Sequence, residues 1–156
     1  MHPSPRDTIS RYLHEVAELP NESAKTHRFA TLVGELFGGS TAPVEFSRGV
    51  EKRVRIHDTE RLKHGRIDSY YGNAILEFEA SLDRTLADAE YQLREYTAGV
   101  WTQEGAQRPL VCIASDGVQW RMYQPVRQKG AGRTVRVDEV RLTPLRSLTL
   151  GPATLD

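Results

Sequence analysis

Three carboxylates that lie close together in the sequence are the residues best suited to chemistry: Asp68, Glu77 and Glu79. Glu77 and Glu79 are two residues apart, and on a β-strand this spacing places both side chains on one face. Neighbouring carboxylates repel one another unless a positive group lies among them, and a hard divalent cation with oxygen ligands meets that need. Magnesium bound there would polarise a phosphate and help to generate hydroxide. The alternative is that Asp68 is a turn residue and that the glutamates line a solvated sheet face.

A predicted β-hairpin carries these carboxylates. Residues 66–71 alternate as a first strand, Gly72-Asn73 is typical of a tight turn, and residues 74–79 form a second, more apolar strand. A strongly amphipathic helix is predicted next, over residues 82–101. Gln92 and Tyr96 lie one turn apart on this helix, so both can face the same site. The alternative for this pair is packing on the inner face of the helix.

The remaining segments predict one α/β domain over residues 1–145, with a linker or tail over 146–156. Helices are expected over 6–19 and 21–37, and residues 44–46 and 54–56 each fit a short strand. A buried strand is predicted over 110–114, a further strand begins at Val118 and ends at Pro125, and Val135 and Val137 fit an edge strand. The basic stretch 127–133 contains glycine and predicts a mobile loop. This order predicts a central mixed β-sheet flanked by helices.

Composition narrows the class of protein. The chain has 156 residues, equal numbers of acidic and basic residues, and a single cysteine, Cys112. An internal disulfide and a zinc site built on several thiolates are excluded, and we expect a reducing cytoplasm. No apolar run is long enough for a membrane span, so we expect no membrane partner. Because the net charge is zero, binding to DNA requires a local basic patch, for which the candidates are Arg66, Arg121, Lys129 and Arg133.

Several short motifs together resemble the PD-(D/E)xK nuclease superfamily. The chain has Asp68 on one predicted strand, Glu77 on the next, and Gln92 and Tyr96 at a Q-x-x-x-Y spacing on the following helix. More closely, it resembles the N-terminal nuclease domains of restriction enzymes, including type I motor subunits and single-chain restriction–methyltransferases. Further matches to those domains are an early helical acid and base, an aromatic-Gly step and a DG-x-x-W turn: Glu22, Arg28, Phe37-Gly38 and Asp116 to Trp120. The resemblance spans roughly residues 20–125.

The resemblance implies a restriction-endonuclease-like fold and a Mg²⁺- or Mn²⁺-dependent DNA endonuclease. Asp68 and Glu77 would hold the metal, and Glu22 would complete its coordination. Glu79 would act as a general base or second ligand, while Gln92 and Tyr96 would bind phosphate or orient a ligand. The implied partners are DNA, further domains of a larger restriction or defence enzyme, and a second copy of the chain.

One residue departs from the family pattern, because Glu79 stands where the family usually has a lysine. Lys63 or Lys25 could take the place of that lysine. Alternatively, the chemistry has been lost and the domain docks DNA or another subunit. A third hypothesis is that the chain is a different metal-dependent hydrolase, which acts on a nucleotide or an RNA.

Overall fold

The computed structural model describes residues 4–36, 50–57 and 62–151, with the backbone alone for 50–57 and 62–71. Two helices come first, α1 (Pro5–Ala17) and α2 (Glu22–Leu36). Three strands follow, β1 (Val50–His57), β2 (Leu62–Tyr71) and β3 (Ala74–Phe78). The long helix α3 (Leu82–Glu104) then leads to β4 (Val111–Ser115) and β5 (Gln119–Arg127). A short 3₁₀ helix (Val137–Glu139) precedes the last strand, β6 (Val140–Thr149).

The strands form one six-stranded sheet in which spatial order follows chain order, from β1 to β6. Every neighbouring pair is antiparallel except β3 and β4, which are parallel. Parallel neighbours need a long crossover connection, and α3 supplies it. The predicted α/β class, with a central mixed sheet flanked by helices, is therefore confirmed.

The two faces of the sheet carry different hydrophobic clusters, because successive side chains of a strand point to opposite sides. On β3, Ile75 belongs to the cluster beneath α3, together with Leu93 and Tyr96 of that helix. Leu76 and Phe78 lie in the cluster that includes Phe29 of α2. Helix α3 therefore covers one face of the sheet, and α2 covers the other.

The predicted hairpin and the helix after it are confirmed, with small differences at their ends. The first arm of the hairpin begins at Leu62, and α3 continues to Glu104. The possible strand over residues 44–46 and the Phe37-Gly38 step lie outside the described residues. Within the described ranges, no helix is long and apolar enough to cross a membrane.

The C-terminal part of the sheet differs from the prediction. Strand β5 does not end at Pro125 but runs on to Arg127, and Pro125 pairs with Leu142 of β6. Proline is tolerated there because the pairing of β5 with β4 ends at Tyr123, so among the described strands β5 has one neighbour rather than two at this point. Val137 begins a 3₁₀ helix instead of an edge strand. Residues 146–149, predicted to open a linker, belong to β6.

Candidate active site

Glu77 and Glu79 lie at the end of β3, in the middle of the sheet, and both are buried, with 5% of each residue exposed. Glu77 is the Cα partner of Ala114 on the parallel strand β4. The backbone N–H of Glu79 donates to the carbonyl of Ser115 at 2.8 Å, so the chain stays attached to β4 just beyond the strand. The glutamates are therefore interior residues, and the alternative of a solvated sheet face is wrong for them.

Glu77 occupies the face of the sheet that α3 covers. It is two residues after Ile75, which packs beneath α3, and its neighbour Ala114 belongs to the same cluster. The intervening residue Leu76 points to the α2 face. Period-two alternation therefore directs the Glu77 side chain towards the same face as Gln92 and Tyr96.

Asp68 lies on β2, the strand next to β3. Ser69 is the Cα partner of Leu76, and Asp68 and Glu77 each lie one residue further from the turn. Their backbones are therefore neighbours on adjacent strands, as the metal-site prediction requires. The side chains of Asp68, Arg66 and Lys63 lie outside the described residues.

Gln92 and Tyr96 contact each other on α3, through a hydrogen bond of 3.4 Å from the tyrosine hydroxyl to the glutamine Oε1. The Tyr96 ring is buried in the core cluster beneath α3. Packing therefore accounts for the ring of Tyr96, while its hydroxyl and the Gln92 amide form a polar pair on the helix. The prediction that the two residues share one face is confirmed.

A further buried carboxylate, Glu95, lies on α3 and was not predicted from the sequence. It is 6% exposed and is one turn from Gln92, at the i+3 position. The sequence pattern that could have identified Glu95 is its position directly before Tyr96 and three residues after Gln92, which places it near both on the helix surface. Glu95 is therefore a buried acid of the helix that lies over the Glu77 face of the sheet.

Lys25, proposed as a substitute for the missing lysine, is a buried residue of α2. Its ammonium donates to the carbonyls of Ala80 at 2.8 Å and Asp116 at 2.9 Å. Ala80 directly follows Glu79, so this lysine ties α2 to the chain at the end of β3. These two hydrogen bonds give Lys25 a structural role beside the glutamates.

The DG-x-x-W turn is also structural. The Asp116 carboxylate accepts hydrogen bonds from the N–H groups of Val118 at 3.1 Å and Gln119 at 2.8 Å, which fix the turn. It also accepts from the N–H of Leu82 at 3.0 Å, and so caps α3 across the sheet. Gly117 has φ +92° and lies against α1, where the Tyr12 hydroxyl donates to its carbonyl at 3.0 Å.

Glu22 is an exposed residue at the start of α2, the helix that packs against the Leu76 and Phe78 face of the sheet. Among the residues whose side chains are described, no group of three or more His, Cys, Asp or Glu residues could hold a metal ion. The described acids therefore do not complete a centre by themselves. Glu22 as the completing ligand stays a prediction.

The predicted basic loop carries less free charge than its sequence suggests. Lys129 pairs with Asp138 at 2.9 Å, and Arg127 pairs with Glu139 at 2.7 Å while also donating to loop carbonyls. The prediction of a mobile loop neglected these ion pairs, which fasten the segment to the 3₁₀ helix. Arg133 is exposed, and Arg121 is half-buried with its guanidinium directed at the carbonyl of Trp120.

Comparison with known protein families, with curated proteins and with solved structures finds no match to this chain.

Proposed function

We propose that this chain is the Mg²⁺-dependent DNA endonuclease domain of a restriction or defence enzyme. The observation that carries the proposal is the pair of buried glutamates at the end of β3, next to the backbone of Asp68 and on the sheet face covered by α3. The order of motif elements also supports it, since Asp68, Glu77 and the Gln92–Tyr96 pair fall on two adjacent strands and the next helix. In this role the domain would act with further domains of a larger enzyme and as a homodimer on DNA.

A divalent metal suits the donor set of this region. Burying a carboxylate in charged form is costly unless cations or hydrogen-bond donors surround it, and Glu77 and Glu79 are both buried. Oxygen donors are the ligands that Mg²⁺ prefers, and Asp68 and Glu77 would hold it. When bound, the metal would supply Lewis-acid polarisation of a phosphate and lower the pKa of a coordinated water.

Each remaining residue has a defined task in phosphodiester hydrolysis. Glu79 would accept the proton of the attacking water, whose oxygen bonds to phosphorus as the bond from phosphorus to a sugar oxygen breaks. The departing sugar oxygen would take its proton from solvent water. Gln92 would orient the phosphate through its amide, held by the Tyr96 hydroxyl at 3.4 Å. Lys25 would keep the end of β3 in place through the Ala80 carbonyl.

The test is cleavage of supercoiled plasmid in Mg²⁺ or Mn²⁺ by the wild type beside Asp68→Ala and Glu77→Gln. We expect nicking or linearisation by the wild type that is lost in both variants, while the exposed-site control Glu18→Gln cleaves normally. Equal cleavage by the wild type and both carboxylate variants would mean that another site, or a contaminating nuclease, is responsible.

A second candidate function is an inactive nuclease-fold module that docks DNA or another subunit. Two observations favour it: Glu79 stands at the family's lysine position, and the Lys25 ammonium is engaged by two carbonyls. This candidate predicts retarded DNA migration in a mobility-shift assay without cleavage by the wild type. It further predicts that Glu79→Lys gains cleavage, because only a disabled site is repaired by the lysine.

A further inference from the structure

The short connection between β3 and α3, residues 79–81, is fastened at both ends to the segment that joins β4 and β5. At the strand end, the Glu79 N–H donates to the carbonyl of Ser115 at 2.8 Å. At the helix end, the Leu82 N–H donates to the carboxylate of Asp116 at 3.0 Å. Because Ser115 and Asp116 are neighbours in sequence, one dipeptide holds both Glu79 and the first residue of the helix that carries Gln92.

The cap of α3 comes from a distant residue, although a local one is present. Ser81 occupies the N-cap position, where serine is a preferred residue. Its side chain nevertheless accepts no capping hydrogen bond from the first turn of α3, all of which the structure describes. The acceptor for Leu82 is instead Asp116, 34 residues along the chain. A local cap stabilises only the helix, whereas this one also fixes the helix start to the β4–β5 turn.

The Asp116 carboxylate is held rigidly for this contact. It is buried, and one oxygen accepts the N–H groups of Val118 at 3.1 Å and Gln119 at 2.8 Å. The other oxygen accepts from Leu82, so both oxygens are used. Lys25 donates to the backbone carbonyl of Asp116 at 2.9 Å and fixes the same residue from the α2 side. The acceptor for α3 therefore has a defined position.

Directional contacts are needed to set the position of α3 along its axis. Its apolar contacts with the sheet, such as those of Ala89 and Leu93, are non-directional. Two directional contacts lie at the helix start: the buried bond to Asp116 and an exposed bond of 2.9 Å from Gln119 to Asp83. The buried bond, to a charged acceptor, is the stronger of the two. It therefore fixes how far along the sheet the residues of α3 lie.

We propose that Asp116 is a positioning residue of the nuclease site, which sets Glu79 and Gln92 relative to each other. It acts by holding the start of α3 to the segment that also holds the end of β3. In this role Asp116 touches neither the metal nor the phosphate. The inference rests on the proposed function, because it assigns Asp116 a task in the same reaction.

The cleavage kinetics of Asp116→Asn test the proposal. The asparagine oxygen can still accept the two N–H bonds of the turn, but the amide nitrogen cannot accept from the Leu82 N–H. This variant therefore releases α3 and retains the turn. We expect kcat for DNA cleavage in Mg²⁺ to fall at least about tenfold, since a misplacement of about 1 Å can cost 10²-fold. KM for DNA and the affinity for Mn²⁺ should change less than about twofold, because Asp116 binds neither ligand.

Two controls separate positioning from stability. Ser81→Ala removes the N-cap side chain of the same helix and should cleave as the wild type does. Gly117→Ala strains the same turn, at φ +92°, from its α1 side and leaves the carboxylate in place. The folded Gly117→Ala protein should be less stable yet keep a kcat close to that of the wild type. If Asp116→Asn is unfolded by circular dichroism, Asp116→Ser replaces it, because serine can also accept the N–H groups of the turn but is too short to reach Leu82.

Amide hydrogen exchange reports on the anchor itself. We expect faster exchange of the Leu82 amide in Asp116→Asn and wild-type exchange in Ser81→Ala. The proposal is overturned if folded Asp116→Asn keeps the wild-type kcat or the wild-type exchange rate at Leu82. It is also overturned if Gly117→Ala loses as much kcat as Asp116→Asn, since lost stability would then explain both. A wild type that does not cleave DNA overturns the proposed function, and the positioning role falls with it.

Discussion

Replacing Lys25 by methionine should destabilise the protein strongly, although the lysine forms no ion pair with a side chain in the described part of the chain. The ammonium donates to the Ala80 and Asp116 carbonyls at 2.8 and 2.9 Å. A carbonyl left without its partner costs about 1–3 kcal/mol when buried, and the methionine stem restores the apolar contacts of the lysine stem. Methionine also removes the desolvation cost of the buried ammonium, and this gain offsets part of the loss. The free energy of unfolding should therefore fall by roughly 2–4 kcal/mol.

Urea denaturation followed by tryptophan fluorescence measures this loss, because Trp101 and Trp120 both belong to the packed interior. The matched control is Lys129→Met, the same chemical change at a side chain that is 63% exposed and paired with Asp138. Exposed ion pairs contribute little to stability, so the control should unfold close to the wild type. The reasoning is refuted if the two lysine variants have the same midpoint and slope.

Three further predictions concern the glycines of two turns and the buried thiol of Cys112. Gly117→Ala should lower the free energy of unfolding by more than about 2 kcal/mol, since φ is +92° and the new Cβ would lie 2.5 Å from a Val16 methyl. The control Gly72→Ala, at φ +55° with open space around the new Cβ, should lower it by only about 1 kcal/mol. Urea denaturation measures both changes. Burial raises the pKa of the Cys112 thiol to about 12, so Ellman's reagent should label it at pH 8 only after unfolding. Because folding raises this pKa, the thiol's contribution to stability is complete below about pH 8.5 and is lost as the pH rises towards 12, which melting curves across that range would detect.

Local patterns predicted the central part of the fold well. The hairpin around Gly72-Asn73 and the helix after it depend on turn chemistry and periodicity, both of which act over a few residues. The strand position of Glu77 and the shared face of Gln92 and Tyr96 follow from the same periodicities. These are also the elements that carry the proposed site.

Features that depend on distant partners were missed. The sequence predicts a strand end at Pro125, because it does not show that, among the described strands, β5 pairs only with β6 beyond Tyr123. The sequence of the basic loop does not reveal its ion pairs, because the partners Asp138 and Glu139 become neighbours of Lys129 and Arg127 only when the chain folds back into β6. The burial of Lys25 against two carbonyls likewise depends on α2 packing across the sheet.

Binding of Mn²⁺, followed by electron paramagnetic resonance, is the most direct test of the central claim, since it needs only the residues of this chain and no DNA. We predict saturable binding to the wild type and to Glu18→Gln, an exposed-site control. Binding should be lost in Asp68→Asn and weakened at least about tenfold in Glu77→Gln, because each variant removes one carboxylate ligand. Wild-type affinity in both folded carboxylate variants, or no binding to the wild type, would contradict a metal centre at the end of β3.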